Sequence, residues 1–355
     1  MKTEKQIDAG NIITFGKQQK LFFAGLLFLV VSLLILDIFI GSVSIKASEV
    51  IKAIFINTGS NVETIILKFR LPKAITALTV GIALSLSGLQ MQTVFRNPMA
   101  GPYVLGISSG ASLGVAFVIL GFSANISPDS LKGFGNWVLV AASWAGAGAV
   151  MILILFISSR VKDIMTILIL GIMLSSGISA IVTIMQYFSN ETMLKAYVIW
   201  TMGSLGNLTT SQLNVLLISV SVGVLLSLIS AKMLNALLLG ENYAASIGLN
   251  IRFARVVIFV CTSILAGSVT AFCGPIGFIG IAVPHIARIL FKTSDHKILI
   301  SGTILTGGAV MLASDIISQL PGSDSVLPVN SVTSLIGIPV VIWVILRNRK
   351  YSGLF

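Results

Sequence analysis

Apolar residues along this chain are grouped in long runs, and short polar connections separate one run from the next. The stretch 21–40, LFFAGLLFLVVSLLILDIFI, is as long as the roughly 20 apolar residues that an α-helix needs to cross a membrane. A strand facing lipid would instead alternate apolar with polar residues. The pattern therefore predicts an all-α membrane protein with about ten transmembrane helices. They are expected at 21–40, 74–94, 102–121, 136–158, 164–188, 211–230, 254–272, 275–292, 298–318 and 331–347.

The composition supports a membrane environment. Charged residues make up 10% of the chain and apolar residues 55%, whereas soluble domains keep about a quarter of their residues charged. The first run is longer than the roughly 7 to 15 apolar residues of a cleavable signal peptide, so we expect it to remain as the first helix. The expected organisation is a cytoplasmic segment at 1–20, a single transmembrane domain at 21–347 and a cytoplasmic tail at 348–355.

The net charge of +11 comes from Lys and Arg residues scattered between the apolar runs. Nucleic-acid binding needs a basic face on a folded module, so this pattern predicts a lipid bilayer and no nucleic acid as partner. An even number of helices places both termini on one side of the membrane. Cations next to the first and last runs, Lys17, Lys20 and Arg347, indicate that this side is cytoplasmic. We therefore expect a multi-pass protein of the cytoplasmic (inner) membrane.

Two outer connections keep a periodic apolar pattern although they are too polar to cross the membrane. The segments 41–73 and 189–210 are expected to form short helices along the outer membrane surface. Pro72 suits the first turn of the second span. The first segment is also an exception to the excess of positive charge on the cytoplasmic side, because it contains five cations: Lys46, Lys52, Lys68, Arg70 and Lys73.

The sequence contains no motif for nucleotide binding or hydrolysis. It lacks the GxxxxGK[ST] loop that holds ATP phosphates, the HExxH zinc motif and the GxSxG nucleophile motif. We therefore expect a protein that is not an enzyme, holds no cofactor or metal, and needs a partner for any ATP hydrolysis. Cys261 and Cys273 lack CxxC spacing and are expected to fill packing positions, and the two histidines, His285 and His296, are expected to be structural residues with satisfied hydrogen bonds.

Acidic residues inside the apolar runs are few, and Asp315 is the deepest of them. Two interpretations stay open: a helix-end carboxylate bonded to neighbouring groups, or an ion-coupling site of a secondary transporter. A faint repeat favours a transporter, because GPYVLGI at 101–107 resembles GPIGFIGI at 274–281. An odd number of predicted spans separates the two copies, so they would run in opposite directions through the membrane, as in inverted-repeat transporters.

Five blocks are more specific: RLPK at 70–73, GLQMQTVFRNPMAGPYVLGISSGA at 88–111, LLLGENYAASIGL at 237–249, GPIGFIGIAVPHIAR at 274–288 and LPVNSVTSLIGIPVVIW at 327–343. In this order they resemble the FecCD-type permeases, which are membrane subunits of ATP-binding-cassette (ABC) importers for ferric siderophores, haem or cobalamin. The resemblance implies a type II ABC importer permease: a homodimer with cytoplasmic ATPase subunits and an extracytoplasmic substrate-binding protein. A ferric siderophore is the expected cargo, and haem and cobalamin stay open as alternatives.

The resemblance also implies a gate and a coupling segment. The Asn-Pro pair of the second block must end a helix, and irregular backbone at that depth is tolerated only against protein or a water-filled path. The family places its cytoplasmic gate at this turn, which falls on Asn97 and Met99. The fifth and tenth helices would line the path. The segment 239–249 would enter a groove on the ATPase, with Glu241 as the polar contact; the coupling residues are Leu239, Gly240, Glu241, Ala244 and Gly248.

Docking of the binding protein is expected at Arg70 and Lys73, which flank Pro72, because the matching family positions pair with carboxylates of that protein. The alternative is that both side chains extend to lipid headgroups. This chain departs from the family pattern on the same outer side, where Val326 replaces a common Glu and Gln319 a common Arg. The docking chemistry is therefore expected to differ from that of other members.

Overall fold

The computed structural model describes residues 17–41, 43, 45–56, 59–121, 137–161, 163–319 and 326–348. Within these ranges every regular element is a helix and no β-strand occurs. The α-helices in chain order are α1 Lys17–Phe39, α2 Ala47–Phe55, α3 Asn61–Ile65, α4 Leu71–Val94, α5 Ile107–Ile119, α6 Trp137–Arg160, α7 Ile164–Tyr187, α8 Glu191–Thr201, α9 Thr210–Leu238, α10 Glu241–Ser246, α11 Ile251–Cys273, α12 Ile279–Phe291, α13 His296–Ser318 and α14 Val329–Asn348.

Each of the ten predicted spans has a matching apolar helix, which confirms the all-α prediction. Seven of the helices in the described residues are long and apolar enough to cross a membrane, and α5, α12 and α14 are shorter apolar helices. The remaining elements, α2, α3, α8 and α10, are the short helices of the connections. Of the expected end segments, 1–16 and 349–355 lie outside the described residues.

The sequence interpretation placed the starts of two spans too early. The expected span at 102–121 opens with a 3₁₀ turn at Pro102–Leu105, and the α-helix begins only at Ile107, after Gly106 in a left-handed conformation (φ 79°). The expected span at 275–292 begins as a helix at Ile279. In both places Gly and Pro interrupt the helix, whereas a hydropathy pattern registers only that the residues are apolar.

The outer segment folds as two short helices and then runs directly into α4. A π-helical turn at Ile66–Arg70 joins α3 to α4, and Pro72 lies in the first turn of α4, as expected. The whole stretch Asn61–Val94 is therefore continuously helical over 34 residues. Val50 and Ala53 of α2 are buried in one cluster with Ile38 of α1, Ile66 and Ala74.

α4 is the central helix of the bundle. In its membrane-crossing stretch 83% of the residues are buried, against 11% for α1 and 22% for α7. α4 packs against α9, α11, α12 and α13. α1 and α7 therefore present most of their apolar surface outward, to lipid or to another chain.

Glycines allow α4 to approach its neighbours closely. A methyl group on Gly88 would overlap the backbone of Gly280 in α12, and one on Gly81 would overlap the backbone of Gly307 in α13. Small residues at such crossings are the usual way in which membrane helices gain packing energy, because lipid supplies no hydrophobic drive between helices. Cys261 and Cys273 are buried free thiols within this packed region, in agreement with the packing role expected for them.

Candidate functional site

The turn after α4 is short and hydrogen-bonded to itself. Asn97 accepts a bond from the backbone N–H of Met99 at 2.9 Å, and the Asn97 N–H donates to the carbonyl of Gln92 at 3.1 Å. Arg96 has a left-handed backbone (φ 46°), an unusual conformation for a residue other than glycine. The predicted gate residues are thus part of one tight turn, and the Met99 side chain is 38% exposed.

Side chains of α12 bind this turn from the neighbouring helix. The Nε2 atom of His285 lies 2.8 Å from the carbonyl oxygen of Pro98. Gln92 donates to the carbonyl of Ile281 at 3.1 Å and accepts from Arg288. The His285 contact agrees with the structural role expected for this residue. The sequence signal for this contact is that two motif blocks, 88–111 with Asn97-Pro98 and 274–288 with Pro284-His285, occur together in the chain.

A cavity of about 620 Å³ lies beside the turn. The described residues that line it include no charged side chain; they come from the turn, from α7 and from the segment before α12. Ser175 and Ser176 of α7 line it, and their hydroxyls donate to the carbonyls of Gly171 and Ile172, at 2.9 and 3.0 Å. This lining suits weak contacts with a passing molecule better than tight binding of an ion.

The segment 239–249 contains the short helix α10 between two glycines. Gly240 (φ 103°) precedes the helix and Gly248 (φ 91°) follows it, and these backbone angles favour glycine at both positions. Two of the residues predicted to contact an ATPase are turned inward. Ala244 is fully buried, and the Glu241 carboxylate forms a bidentate ion pair with Arg255, with both oxygens 2.7 Å from Nη2.

Three large apolar residues of this segment are exposed: Leu239, Tyr243 and Ile247 are 64%, 50% and 57% exposed. Tyr243 lies in α10, and Leu239 and Ile247 flank this helix on either side. Leu239 was among the predicted coupling residues, and Tyr243 and Ile247 lie within the predicted segment 239–249. A sequence pattern does not show which residues of such a segment are exposed.

The predicted docking residues are bonded within the chain. Arg70 is buried, and its guanidinium donates to the carbonyls of Ile38, Phe39 and Val43, at 3.1 and 2.9 Å for the first two. The Nζ atom of Lys73 lies 3.0 Å from Oδ1 of Asp315. Arg70 is therefore not a surface cation, and only the Lys73 side chain, 21% exposed, keeps partial access to solvent.

Two acids meet near the same end of the bundle. Gln319 donates to Asp37 at 2.7 Å and to Asp315 at 3.3 Å. Since Asp315 is also paired with Lys73, its charge is compensated inside the protein. This arrangement favours the structural interpretation of Asp315 over a role in ion coupling.

Comparisons with known proteins agree on one class. The family model described as the FecCD transport family matches residues 27–347. The chain is 35% identical over 327 residues to the hemin transport system permease protein HmuU of Yersinia pestis, covering 91% of this chain and 95% of that protein. It is 36% identical over 291 residues to the vitamin B12 import system permease protein BtuC of Citrobacter koseri, covering 81% and 84%.

A solved structure described as an inward-facing conformation of a metal-chelate type ABC transporter has the same fold. It superposes with a TM-score of 0.79 at 26% identity and covers 92% of this chain and 99% of that one. The all-helical arrangement of this chain is therefore that of an ABC importer permease. The chain belongs to the FecCD transport family.

Proposed function

We propose that this permease carries an intact metal chelate across the inner membrane, with a ferric siderophore as the expected cargo and ATP hydrolysis supplied by a separate subunit. One observation supports this most directly: the gate turn and the coupling segment share a hydrophobic cluster. Phe95 and Ala100 of the turn pack in one buried cluster with Ala244 of α10 and Phe259 of α11. A displacement of α10 by an ATPase would therefore reach the gate through packed side chains.

The lining of the cavity supports a chelate rather than a bare metal ion. Metal ions are held by carboxylates, imidazoles or thiolates. Among the described residues no group of three such side chains is close enough together to hold a metal. The relatives are named for haem and vitamin B12, in which an organic ligand encloses the metal. A ferric siderophore has the same general chemistry, and haem and cobalamin are the alternatives.

The outward apolar surfaces support a complex of several chains. On α7 Met173 is 65% exposed, and on α14 Leu335 is 72% exposed, so the two helices expected to line the path are open to a second copy. We assign the ATPase contact to Leu239, Tyr243 and Ile247, with Gly240 and Gly248 shaping the segment. Both termini lie in the cytoplasm in this assembly.

The extracytoplasmic binding protein would dock at the outer ends of α1 and α4. Arg70 and Lys73 would shape this surface from within, since their charges bind internal groups. Exposed cations are available nearby on α2 and on the π-helical turn: Lys46, Lys52 and Lys68.

An ion-coupled secondary transporter is the second candidate, and one observation favours it. The Oδ2 atom of Asp37 is buried without a hydrogen-bond partner among the described residues. A buried acid of this kind in a membrane protein can take up a proton.

Transport into proteoliposomes separates the two candidates. The permease, a cognate ATPase and a binding protein would be reconstituted, and uptake of ferric siderophore, haem and cobalamin would be compared. We expect uptake that requires ATP and all three proteins. Uptake driven by a proton or sodium gradient, with the ATPase omitted, would contradict the proposal and support the second candidate.

A further inference from the structure

Arg255 binds the coupling segment through its whole guanidinium edge. Its Nε and Nη2 atoms donate to Oε1 of Glu241 at 3.0 and 2.7 Å, and Nη2 also lies 2.7 Å from Oε2. The Arg255 side chain is 3% exposed and that of Glu241 27%. The ion pair is therefore mostly shielded from water, and it fixes α10 to the second turn of α11.

The same guanidinium also reaches the connection before α7. Its Nη1 atom donates to the carbonyl oxygen of Val161 at 3.3 Å. Two residues further on, Asp163 caps the N-terminus of α7 and accepts from the Thr166 backbone N–H at 2.9 Å. The Thr166 hydroxyl and backbone N–H groups hold the pKa of Asp163 below its usual value, so this cap is charged at neutral pH.

α7 is also the helix whose serines line the cavity. The Arg255 side chain therefore connects the segment expected to contact the ATPase with the helix expected to line the path. Arginine is suited to this geometry because its planar fork presents several donors in fixed directions. A lysine offers a single ammonium centre, which can keep the charge pair with Glu241 but cannot reproduce the fork and the Val161 bond together.

We propose that Arg255 is a positioning residue that transmits displacement of α10 to the N-terminal end of α7, and so couples ATP hydrolysis to opening of the path. This inference rests on the proposed function. Because Ala244 packs into the buried cluster of the gate turn, α10 has two connections to the path: an apolar one to the gate and a polar one to α7. Arg255 provides the polar one.

The test compares two conservative variants in the reconstituted complex, Arg255→Lys and Glu241→Gln. Arg252→Lys is the matched control, since Arg252 is exposed and lies one turn earlier on the same helix. The measured quantity is the number of cargo molecules taken up per ATP hydrolysed. Retention of the ATPase on the purified permease and the melting temperature in detergent are measured in parallel.

We expect both variants to retain the ATPase and to hydrolyse ATP at rates close to the unmodified complex. Cargo uptake per ATP should fall by about tenfold, within the usual range for a coupling free energy between two sites. The double variant Glu241→Gln with Arg255→Lys should be no worse than either single variant, because both remove the same connection. The Arg252→Lys complex should behave as the unmodified one.

Unchanged uptake per ATP in Arg255→Lys would overturn the inference. Loss of the ATPase from the variants would also overturn it. So would a drop in melting temperature that parallels the drop in uptake, since either result would indicate a structural role. Failure of the proposed function has a different signature, because the unmodified permease would then show no ATP-dependent uptake at all.

Discussion

The carbonyl oxygen of Pro98 lies 2.8 Å from Nε2 of His285, so the turn that follows α4 is bonded to a side chain of α12. Both residues belong to Gly- and Pro-rich blocks that are far apart in the sequence. His285 is 5% exposed, and the contact is therefore shielded from bulk water. This hydrogen bond therefore holds the turn against α12.

Removing this bond should make the gate leak. For His285→Ala we expect passive efflux of cargo, with the ATPase present but without ATP, to rise by about tenfold, which corresponds to about 1.4 kcal/mol, within the range for one lost buried bond. His285→Gln keeps a donor of similar reach and should leak less than the alanine variant. Efflux from loaded proteoliposomes measures both, and equal leakage from the alanine variant and the unmodified protein would contradict a role in the gate.

The helix crossing of α4 and α12 should be sensitive to a single methyl group. A side chain on Gly88 would overlap the backbone of Gly280, which cannot move aside as a flexible side chain can. For Gly88→Ala we expect a loss of about 1 to 3 kcal/mol of stability, as for other overpacked cores. Thermal unfolding in detergent measures the change.

Gly148→Ala is the control for this prediction. Gly148 lies in α6, and a methyl group there would meet no atom within 4 Å. Replacing a helical glycine by alanine should then stabilise the protein slightly. If both variants unfold at the temperature of the unmodified protein, the close approach of α4 and α12 does not contribute to stability.

Hydropathy alone predicted the long helices of this fold. In lipid the backbone N–H and C=O groups must be hydrogen-bonded within the chain, and long apolar helices achieve this. The sequence motifs predicted a turn after α4 and a short polar segment between α9 and α11, and the structure contains both. They could not show how side chains are oriented within these segments. Glu241 could face a partner or pair with Arg255. The sequence pattern cannot decide between these, because the two residues are 14 positions apart and belong to different helices.

The outer cations illustrate the same limit. The family resemblance predicted docking at Arg70 and Lys73, which belong to a cationic cluster that is an exception to the expected charge distribution. The structure supplies internal partners for both, three backbone carbonyls for Arg70 and Asp315 for Lys73. These partners come from α1, α13 and the connection after α1, so no local motif could have identified them.

The exposed apolar residues of the segment 239–249 should determine how well the ATPase is retained. Leu239→Gln combined with Tyr243→Gln removes two exposed apolar contacts while leaving the buried Ala244 unchanged. We expect the affinity of the ATPase to fall by about 2 kcal/mol or more, as for anchors at the centre of an interface. Affinity in detergent or nanodiscs measures the effect.

Asn242→Ala is the matched control, because Asn242 is also exposed on α10 but is polar. It should bind the ATPase as the unmodified permease does. If Asn242→Ala lost as much affinity as the double variant, or if the double variant bound normally, the contact surface would have to lie elsewhere.

The exposed outer lysines should govern capture of the binding protein more than Lys73 does. Lys46, Lys52 and Lys68 are exposed, whereas Lys73 is paired with Asp315. Exposed charges act mainly on the association rate and are screened by salt. Replacing all three with Gln should therefore slow association about tenfold at low ionic strength, with little effect at high salt. Surface plasmon resonance on nanodiscs measures this rate, and Lys73→Gln is the comparison. A larger loss in Lys73→Gln than in the triple variant would contradict this assignment and return the docking role to Lys73.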